Sequence, residues 1–458
     1  MYRIGTRALA LWVTVALLVG GLGFFLYEYI TQAPKWALEP GNPHIYEDGR
    51  ISMGAIVDRN GIGLLDLTDG RSYSEHAQVR MSTLHWVGDR RGNIAPTLIA
   101  RYEQALADYD LVNGLYGYGG IGGTLHLTLS ARVQMAALEA MGNYKGTVAV
   151  YNYRTGELLC AVSTPTFDPE MEPDLSEDIT GEYAGVYVNR VLQSVYIPGS
   201  IFKIVTTAAA LERLPGIAQQ KFTCRGIYSF GVDQVSCERA HGTLTVREAM
   251  MRSCNCIYAQ IALQLGGETL EEYVRQFGVT ERISFDGFTS AAGNYQAAGT
   301  ADVNLAWSAV GQYHDQINPC AYLTFVGAIA NGGQGMMPYM VSAVTVGNAT
   351  TYRAETVRGR RILSEETAQI LREYMRNNVV SNYGAENFPG LTVCAKSGTG
   401  EVGGGRKPNA MFTGFVADEK YPLAFLVAVE DGGYGRAVCV PIIARVLQAC
   451  KTVLDGGQ

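Results

Sequence analysis

Two residues three positions apart, Ser200 and Lys203, have the side chains needed for nucleophilic chemistry. Pro198 and Gly199 interrupt the chain just before them, and apolar residues then recur at helical spacing, at positions 201, 204, 205, 208 and 211. This pattern predicts that Ser200 begins a mostly buried helix, with Lys203 one turn above it on the same face. An amine among apolar neighbours partly loses its preference for the charged form. Lys203 could therefore act as a base toward the Ser200 hydroxyl, as in serine acyl transfer.

A helix can carry a serine and a lysine at this spacing without any catalytic role. The chain has 8 lysines and 19 serines in 458 residues, so about 0.3 such pairs are expected by chance. Two further motifs weigh against coincidence. Ser253-Cys254-Asn255 is the only Ser-x-Asn in the sequence, and Lys396-Ser397-Gly398 is the only Lys-[Ser/Thr]-Gly. Three single occurrences in this order favour an enzyme that forms an acyl-serine intermediate.

Residues 8–30 are predicted to form a membrane anchor. The first twenty of them carry no charge, and ~20 apolar residues are enough for a helix to cross a hydrocarbon core of ~30 Å. Arg3 and Arg7 precede the apolar run, so the positive-inside rule places residues 1–7 in the cytoplasm and the rest of the chain outside. A cleaved signal peptide is the alternative interpretation. Pro34 follows the nearest small-residue cleavage site and favours the uncleaved anchor.

The extracytoplasmic part is expected to contain a linker with a small pedestal, residues 31–123, and a main domain, residues 124–458. Residues 114–123 include six glycines, which mark the boundary between them. Strands are predicted early and late in the main domain, at 146–152, 155–162, 391–395, 411–416 and 423–429, with helical segments between them. This order predicts an α+β fold, in which distant parts of the chain close an antiparallel sheet that helices cover.

Local signals predict where several elements begin and end. Gly54–Gly61 is typical of a hairpin with an Asn-Gly turn. Ser130 is a candidate N-cap for a helix over 131–141, and Thr245 with Glu248 is a candidate capping box. Further helices are predicted over 318–331 and 442–454, and the acidic stretch 168–182 is expected to be a surface loop.

With these motifs in place, the chain resembles a class B penicillin-binding protein, the membrane-anchored D,D-transpeptidases that cross-link peptidoglycan. The similarity extends beyond the three motifs to Gly54–Gly61, Leu127–Gln134, Gly146–Val162 and Tyr196–Ser200. It implies the transpeptidase fold shared with serine β-lactamases, an antiparallel sheet flanked by helices. The pedestal of about 90 residues is short for the family, which puts extra partner-docking modules in doubt.

The resemblance implies a role for each motif residue. Ser200 would attack the carbonyl of a D-Ala-D-Ala stem peptide while Lys203 takes its proton. Ser253 would relay a proton to the leaving amine, and Asn255 would hold the substrate's amide. Lys396 would supply positive charge near the substrate carboxylate.

The third motif is expected to bind substrate as well. The hydroxyls of Ser397 and Thr399 would bind the carboxylate, and Gly398 would let the strand approach the substrate. The backbone N–H groups of Ser200 and Thr399 would form an oxyanion hole, in which each donor is worth about 10²–10³ in rate.

Nine cysteines cannot all pair. Cys224 and Cys237 could form a disulfide outside the membrane, and this question stays open at the level of sequence. Cys254 and Cys256 lack a second ligand pair at zinc-like spacing, so no metal site is expected. No organic cofactor is expected either.

The expected partners are peptidoglycan stem peptides, β-lactams as acylating inhibitors, the membrane, and a membrane-embedded glycan polymerase of the SEDS type. A net charge of −7 argues against binding nucleic acid. Two alternatives to a transpeptidase remain. One is a membrane-anchored β-lactamase or D,D-carboxypeptidase, in which water takes the acyl group, and the other is a β-lactam-binding scaffold without turnover.

Overall fold

A five-stranded antiparallel sheet positions the candidate catalytic residues. The computed structural model describes residues 2–456 except 38–45, 48–49, 52, 69, 111, 113–114 and 117–121. In sheet order the strands are Leu158–Thr164, Gly146–Asn152, Leu423–Val429, Asn409–Val416 and Val393–Gly400. The two outer strands at one end come from the start of the domain, and the other three come from its end. The predicted α+β fold, with its sheet closed by distant parts of the chain, is therefore confirmed.

Helices cover both faces of this sheet, which explains why its central strand Leu423–Val429 is apolar throughout. Val148 and Val150 face a core shared with the C-terminal helix Gly435–Leu454. Ala149 and Tyr151 face the opposite core, which contains the helix Pro319–Ala330. Successive residues of a strand point to opposite faces, so a strand covered on both faces must be apolar at every position.

A second sheet of six strands lies beside the first. In sheet order its strands are Ala349–Arg353, Val341–Val346, Gly123–Leu127, Ala55–Val57, Gly63–Asp66 and Ser72–Tyr73. The hairpin predicted near Asn60 is present. Gly123–Leu127 pairs in parallel with the hairpin and in antiparallel fashion with Val341–Val346. The sheet thus contains strands from both sides of the predicted boundary at residue 124, and the division into pedestal and main domain stays a prediction.

Apart from the long N-terminal helix, the other elements are short helices and two-stranded ribbons. The remaining α-helices are Tyr2–Ala37, Ala77–Val87, Leu98–Arg101, Glu103–Ala107, Ala131–Met141, Arg190–Gln193, Lys203–Arg213, Val246–Arg252, Asn255–Leu265, Gly267–Phe277, Asp302–Ser308 and Glu365–Asn378. Turns of 3₁₀-helix span Leu175–Glu177, Gly199–Phe202 and Ala385–Asn387, and a π-helical turn spans Val379–Tyr383. Two-stranded ribbons pair Tyr46–Glu47 with Arg50–Ile51, Tyr109–Asp110 with Leu115–Tyr116, Lys221–Cys224 with Gly242–Thr245, Ile227–Phe230 with Asp233–Ser236, Ser284–Phe285 with Phe288–Thr289, and Gln334–Met336 with Arg358–Arg361.

The structure confirms both predicted helix caps, but the predicted start of the last helix was wrong. Ser130 accepts a hydrogen bond from Val133 N, and Thr245 forms a full capping box with Glu248. The last helix begins at Gly435 rather than near residue 442, and Pro441 lies inside it. Proline usually breaks a helix because it lacks an N–H donor. Here Pro441 falls in the second turn, and burial of the following turns against the sheet keeps the helix continuous.

The N-terminal helix has the length and composition of a membrane span. It runs from Tyr2 to Ala37, and no residue of its most apolar window is buried. The helix Gly435–Leu454 is also long and apolar, but it packs on the sheet. Among the described residues, the N-terminal helix is therefore the apolar helix that is free to enter a bilayer.

A buried ion pair ties the helix Ala77–Val87 to the segment that follows the strand Leu158–Thr164. Arg80 donates from Nε and Nη2 to the two carboxylate oxygens of Asp168, over 2.7 and 2.6 Å. Both side chains are largely buried, at 14% and 7% exposure. Asp168 was expected at the start of a surface loop, but its side chain is buried and held in place by Arg80. Two parallel bonds of this kind define orientation as well as distance.

We predict that Arg80→Ala lowers the free energy of unfolding by about 2 kcal/mol, because Asp168 loses two charge-assisted hydrogen bonds while staying buried. Urea unfolding of the full-length protein in detergent measures the change. Arg91→Ala is the control, since Arg91 is 72% exposed in its pair with Glu172 and should cost less than about 1 kcal/mol. Equal losses in the two variants would contradict the structural role of the Arg80 pair.

Candidate active site

Ser200 and Lys203 lie where the chain enters a buried helix. Ser200 is in the 3₁₀ turn Gly199–Phe202, and Lys203 is the first residue of the helix Lys203–Arg213. The Nζ atom of Lys203 is 2.8 Å from Ser200 Oγ, and the Lys203 side chain is fully buried. Gly199 has a φ of +54° and lies against the backbone of Thr399, a close approach that a side chain would block.

Four oxygen atoms surround the amine of Lys203. Besides Ser200, its Nζ lies 2.7 Å from Asn255 Oδ1, 3.0 Å from the Ser253 carbonyl oxygen and 3.2 Å from Ser253 Oγ. A neutral amine has two N–H donors and one lone pair. The donors can bind the amide and carbonyl oxygens, which leaves the lone pair for a hydroxyl proton. In that protonation state Ser200 O–H donates to Lys203 Nζ, whereas a charged Lys203 donates to Ser200 Oγ.

The Ser253-x-Asn255 motif is a tight turn between two helices. Ser253 has a φ of +51° and ends the helix Val246–Arg252, and Asn255 begins the next helix. A left-handed conformation is uncommon for serine and is typical of functional positions. The turn places Ser253 Oγ 3.2 Å from the Nζ atoms of both Lys203 and Lys396.

Burial changes the protonation of both lysines. Loss of solvent lowers the pKa of Lys203 to about 7, and the positive charge of Lys396 acts in the same direction. Burial alone lowers the pKa of Lys396 to about 7. The two amines share Ser253 Oγ, so a proton on one disfavours a proton on the other. Near neutral pH, Lys203 can be neutral while Lys396 carries the proton.

The third motif occupies the edge strand Val393–Gly400 of the five-stranded sheet, next to the nucleophile turn. Lys396 points inward and donates to the Ser397 carbonyl oxygen over 2.8 Å. Ser397 is held by Tyr383, whose hydroxyl accepts from Ser397 N over 2.9 Å and lies 3.0 Å from Ser397 Oγ. Tyr383 was not identified from the sequence, because a single tyrosine in a π-helical turn carries no motif.

Gly398 makes a different contact from the one expected. A Cβ at this position would lie 2.6 Å from the Pro198 carbonyl oxygen and 3.0 Å from the Ile201 side chain. Gly398 therefore lets the edge strand pack against the nucleophile turn, and it also lines the neighbouring cleft. This packing sets the distance between the backbone of Thr399 and Ser200.

These residues open into a cleft of about 830 Å³. Its lining includes Ser200, Ser253, Asn255, Ser397, Gly398 and Thr399, together with residues that the sequence motifs did not indicate: Ser236, Cys237, Glu238, His241, Arg252, Trp307, Val310, Gln312, Tyr313 and Tyr434. Gln312 donates to the Thr399 carbonyl oxygen over 3.2 Å. The structure thus brings all eight predicted site residues together, with Lys203 and Lys396 buried behind the surface of the cleft.

Two glutamates near the motifs differ in their placement. Glu401 lines the cleft. Glu430 pairs with Arg190, whose Nε lies 2.7 Å from its carboxylate, and also accepts from the Tyr196 hydroxyl over 3.3 Å. Glu430 therefore has a structural role.

We predict that Gly398→Ala slows covalent labelling by a fluorescent penicillin about 100-fold, because the added methyl pushes the Thr399 N–H away from Ser200. The second-order labelling rate measures the effect. Gly63→Ala is the control, since nothing lies within 4 Å of a Cβ there and its backbone is not left-handed. Labelling of Gly398→Ala at the control rate would contradict the proposed packing role.

Comparison with known proteins agrees with this geometry. Residues 146–448 match the family model described as the penicillin-binding protein transpeptidase domain. The chain is 28% identical over 360 residues to the peptidoglycan D,D-transpeptidase PbpA of Mycobacterium tuberculosis, covering 72% of each chain.

Solved structures give the same result. The structure of penicillin-binding protein A from M. tuberculosis, a ceftriaxone acyl-enzyme, aligns with a TM-score of 0.75 at 25% identity, over 87% of this chain and 98% of that one. The D,D-transpeptidase domain of a peptidoglycan glycosyltransferase from Eggerthella lenta aligns with a TM-score of 0.75 at 26% identity, over 88% and 98%. The chain therefore belongs to the penicillin-binding protein transpeptidase family, within its class B group.

Proposed function

We propose that this protein is a membrane-anchored peptidoglycan D,D-transpeptidase, which cross-links stem peptides through an acyl-enzyme on Ser200 and is inhibited by β-lactams. The observation that carries the proposal is the fully buried Lys203 amine 2.8 Å from Ser200 Oγ, with its pKa lowered to about 7. The family membership and the names of the relatives support it.

Acylation follows from this arrangement. Ser200 Oγ attacks the carbonyl carbon of the penultimate D-Ala while its proton passes to Lys203 Nζ. The N–H groups of Ser200 and Thr399 stabilise the resulting oxyanion. The C–N bond then breaks, and the departing D-Ala amine takes a proton through Ser253, whose hydroxyl contacts both lysines. An amine from a neighbouring stem peptide attacks the ester in the second half of the reaction and restores free Ser200.

Substrate binding uses the open side of the edge strand. The hydroxyls of Ser397 and Thr399 bind the terminal carboxylate, and Lys396 contributes its charge from behind the strand. Asn255 Nδ2 donates to the Ser236 carbonyl oxygen over 2.9 Å in the free protein. For Asn255 to hold the substrate's amide, this contact has to be exchanged for one to the substrate.

The N-terminal helix is the basis for the proposed location of the protein at the membrane. We assign residues 1–7 to the cytoplasm because Arg3 and Arg7 precede the apolar segment, which places the cleft outside the membrane. A protein held there meets newly made glycan strands, so a membrane-embedded glycan polymerase of the SEDS type is the proposed partner. The domain limits given above, 8–30, 31–123 and 124–458, belong to the same proposal.

We predict that benzylpenicillin adds one stable acyl group to the full-length protein and none to Ser200→Ala, because the variant lacks the attacking oxygen. Intact mass spectrometry of protein purified in detergent measures the adduct, and Ser194→Ala, outside the motifs, serves as the control. A labelled Ser200→Ala variant would show that the nucleophile is wrong. Rapid destruction of penicillin would favour a β-lactamase, and neither adduct nor turnover would favour a scaffold.

We also predict a bell-shaped pH dependence for acylation. On the acid side the rate falls about tenfold per pH unit below about 7, because protonation of Lys203 removes the base. On the alkaline side it falls as Lys396, whose pKa is also about 7, loses its proton. Stopped-flow measurement of penicillin acylation across this range tests the profile, with circular dichroism as the control for unfolding. A rate independent of pH between about 5 and 9 would contradict the role of Lys203 as base.

A further inference from the structure

Behind the Ser253 turn, three cysteines and one histidine come together. The side-chain ligand atoms of Cys224, Cys237, His241 and Cys254 all lie within 4.8 Å of one another. Cys224 and Cys254 are buried, and the other two are half-buried. The catalytic residues do not use any of the four.

Three of the distances within this group match those of a tetrahedral metal site, and all of them are within 4.8 Å. Zinc binds sulfur at ~2.3 Å and imidazole nitrogen at ~2.0–2.1 Å, so tetrahedral angles place two sulfurs about 3.8 Å apart and a sulfur and a nitrogen about 3.6 Å apart. The Sγ atom of Cys237 is 3.9 Å from that of Cys224 and 3.7 Å from that of Cys254. The Sγ atom of Cys224 is 3.6 Å from His241 Nδ1.

Four separate segments contribute these ligands. Cys224 ends the strand Lys221–Cys224, Cys237 follows the strand Asp233–Ser236, and His241 directly precedes the strand Gly242–Thr245. Cys254 is the middle residue of the Ser-x-Asn motif and points away from the cleft, unlike its two neighbours. The sequence argument considered only closely spaced ligand pairs, whereas the fold brings together single candidate ligands from separate segments.

The surroundings support thiolate ligands. Cys256 donates its backbone N–H to Cys237 Sγ over 3.4 Å, the type of outer hydrogen bond that orients a metal-bound sulfur. Cys256 Sγ is 3.5 Å from Cys237 Sγ and donates to the Val235 carbonyl oxygen. A fifth sulfur is therefore present beside the four ligands, as a neighbour of the site.

We propose that Cys224, Cys237, His241 and Cys254 bind one Zn²⁺, which fastens the two ribbons between residues 221 and 245 to the Ser253 turn. Three thiolates and one imidazole in a tetrahedral arrangement favour zinc, and four protein ligands close its coordination sphere, so the site is structural. The metal holds Cys254 directly, and through it the left-handed conformation of Ser253. It also positions Ser236, which binds Asn255.

The consequence for activity is specific. Ser236, Cys237, Glu238 and His241 line the same cleft as Ser200. Without the metal, residues 236–241 in the cleft wall and the turn at Ser253 would no longer be held in fixed positions. Acylation should then slow while the five-stranded sheet, which contains none of the ligands, stays folded.

The first test is metal content. Full-length protein, purified in detergent under reducing conditions, should contain one equivalent of zinc by elemental mass spectrometry. Cys224→Ser and His241→Ala should each lower this, and Cys320→Ala, a buried cysteine in the helix Pro319–Ala330, should not. Cobalt-loaded protein should show the thiolate charge-transfer and ligand-field bands of a tetrahedral site. Metal-free protein with a Cys224–Cys237 disulfide, or zinc unchanged in both ligand variants, would overturn the proposal.

The second test needs no variant and so does not depend on variant folding. Wild-type protein is treated with a chelator, and penicillin acylation is followed before and after zinc is returned. We expect at least a tenfold slower acylation without zinc and recovery with it. An unchanged acylation rate after complete zinc removal would overturn the positioning role. Metal content is measured independently of acylation, so failure of the proposed transpeptidase function would be seen separately.

Discussion

The burial of the Lys203 and Lys396 amines on either side of Ser253 is the constraint on which the rest of the structure depends. Water would keep both lysines charged, and a charged Lys203 could not accept the Ser200 proton. The fold excludes water by placing one amine at the start of a buried helix and the other on the inner face of a covered sheet. The cost of desolvation is partly offset by hydrogen bonds to Ser253 and Asn255. The core around the site is therefore part of the catalytic chemistry, because it sets the protonation of Lys203.

The contacts at the site are made between parts of the chain that are far apart in sequence. Ser253 lies 50 residues beyond Lys203, and Lys396 lies 143 residues beyond Ser253. Gly199 and Gly398 are needed because the nucleophile turn and the edge strand pack backbone to backbone. The Arg80–Asp168 pair similarly fixes the helix Ala77–Val87 against a segment 88 residues later in the chain. Each contact restricts orientation, so that three separate motifs meet within hydrogen-bonding distance.

Sequence reasoning located the elements and motif residues well, and it failed where function depends on tertiary contact. Strand periodicity, the Ser130 cap and the three motifs are local signals, which survive without knowledge of the fold. The start of the last helix was misplaced because the packing that tolerates Pro441 is not local. Tyr383 and Gln312 lie outside the motif pattern and contact residues that are remote from their own position in sequence. The cysteine–histidine group lies within residues 224–254, but its ligands come together only through the pairing of the two ribbons. The packing of Gly398 against Pro198 could not be anticipated for the same reason, since Pro198 is 200 residues earlier.

The edge position of the strand Val393–Gly400 bears on which peptides the cleft can accept. An edge strand offers backbone N–H and C=O groups on one side, and an extended peptide can join it as a further strand. Such pairing reads the path of a main chain and is nearly indifferent to alternate side chains, which point away from the sheet. A stem peptide that pairs in this way could vary along its length, whereas its terminal carboxylate would have to reach the two hydroxyls proposed to bind it. Recessing the strand in a cleft also shields an exposed edge from pairing with other proteins.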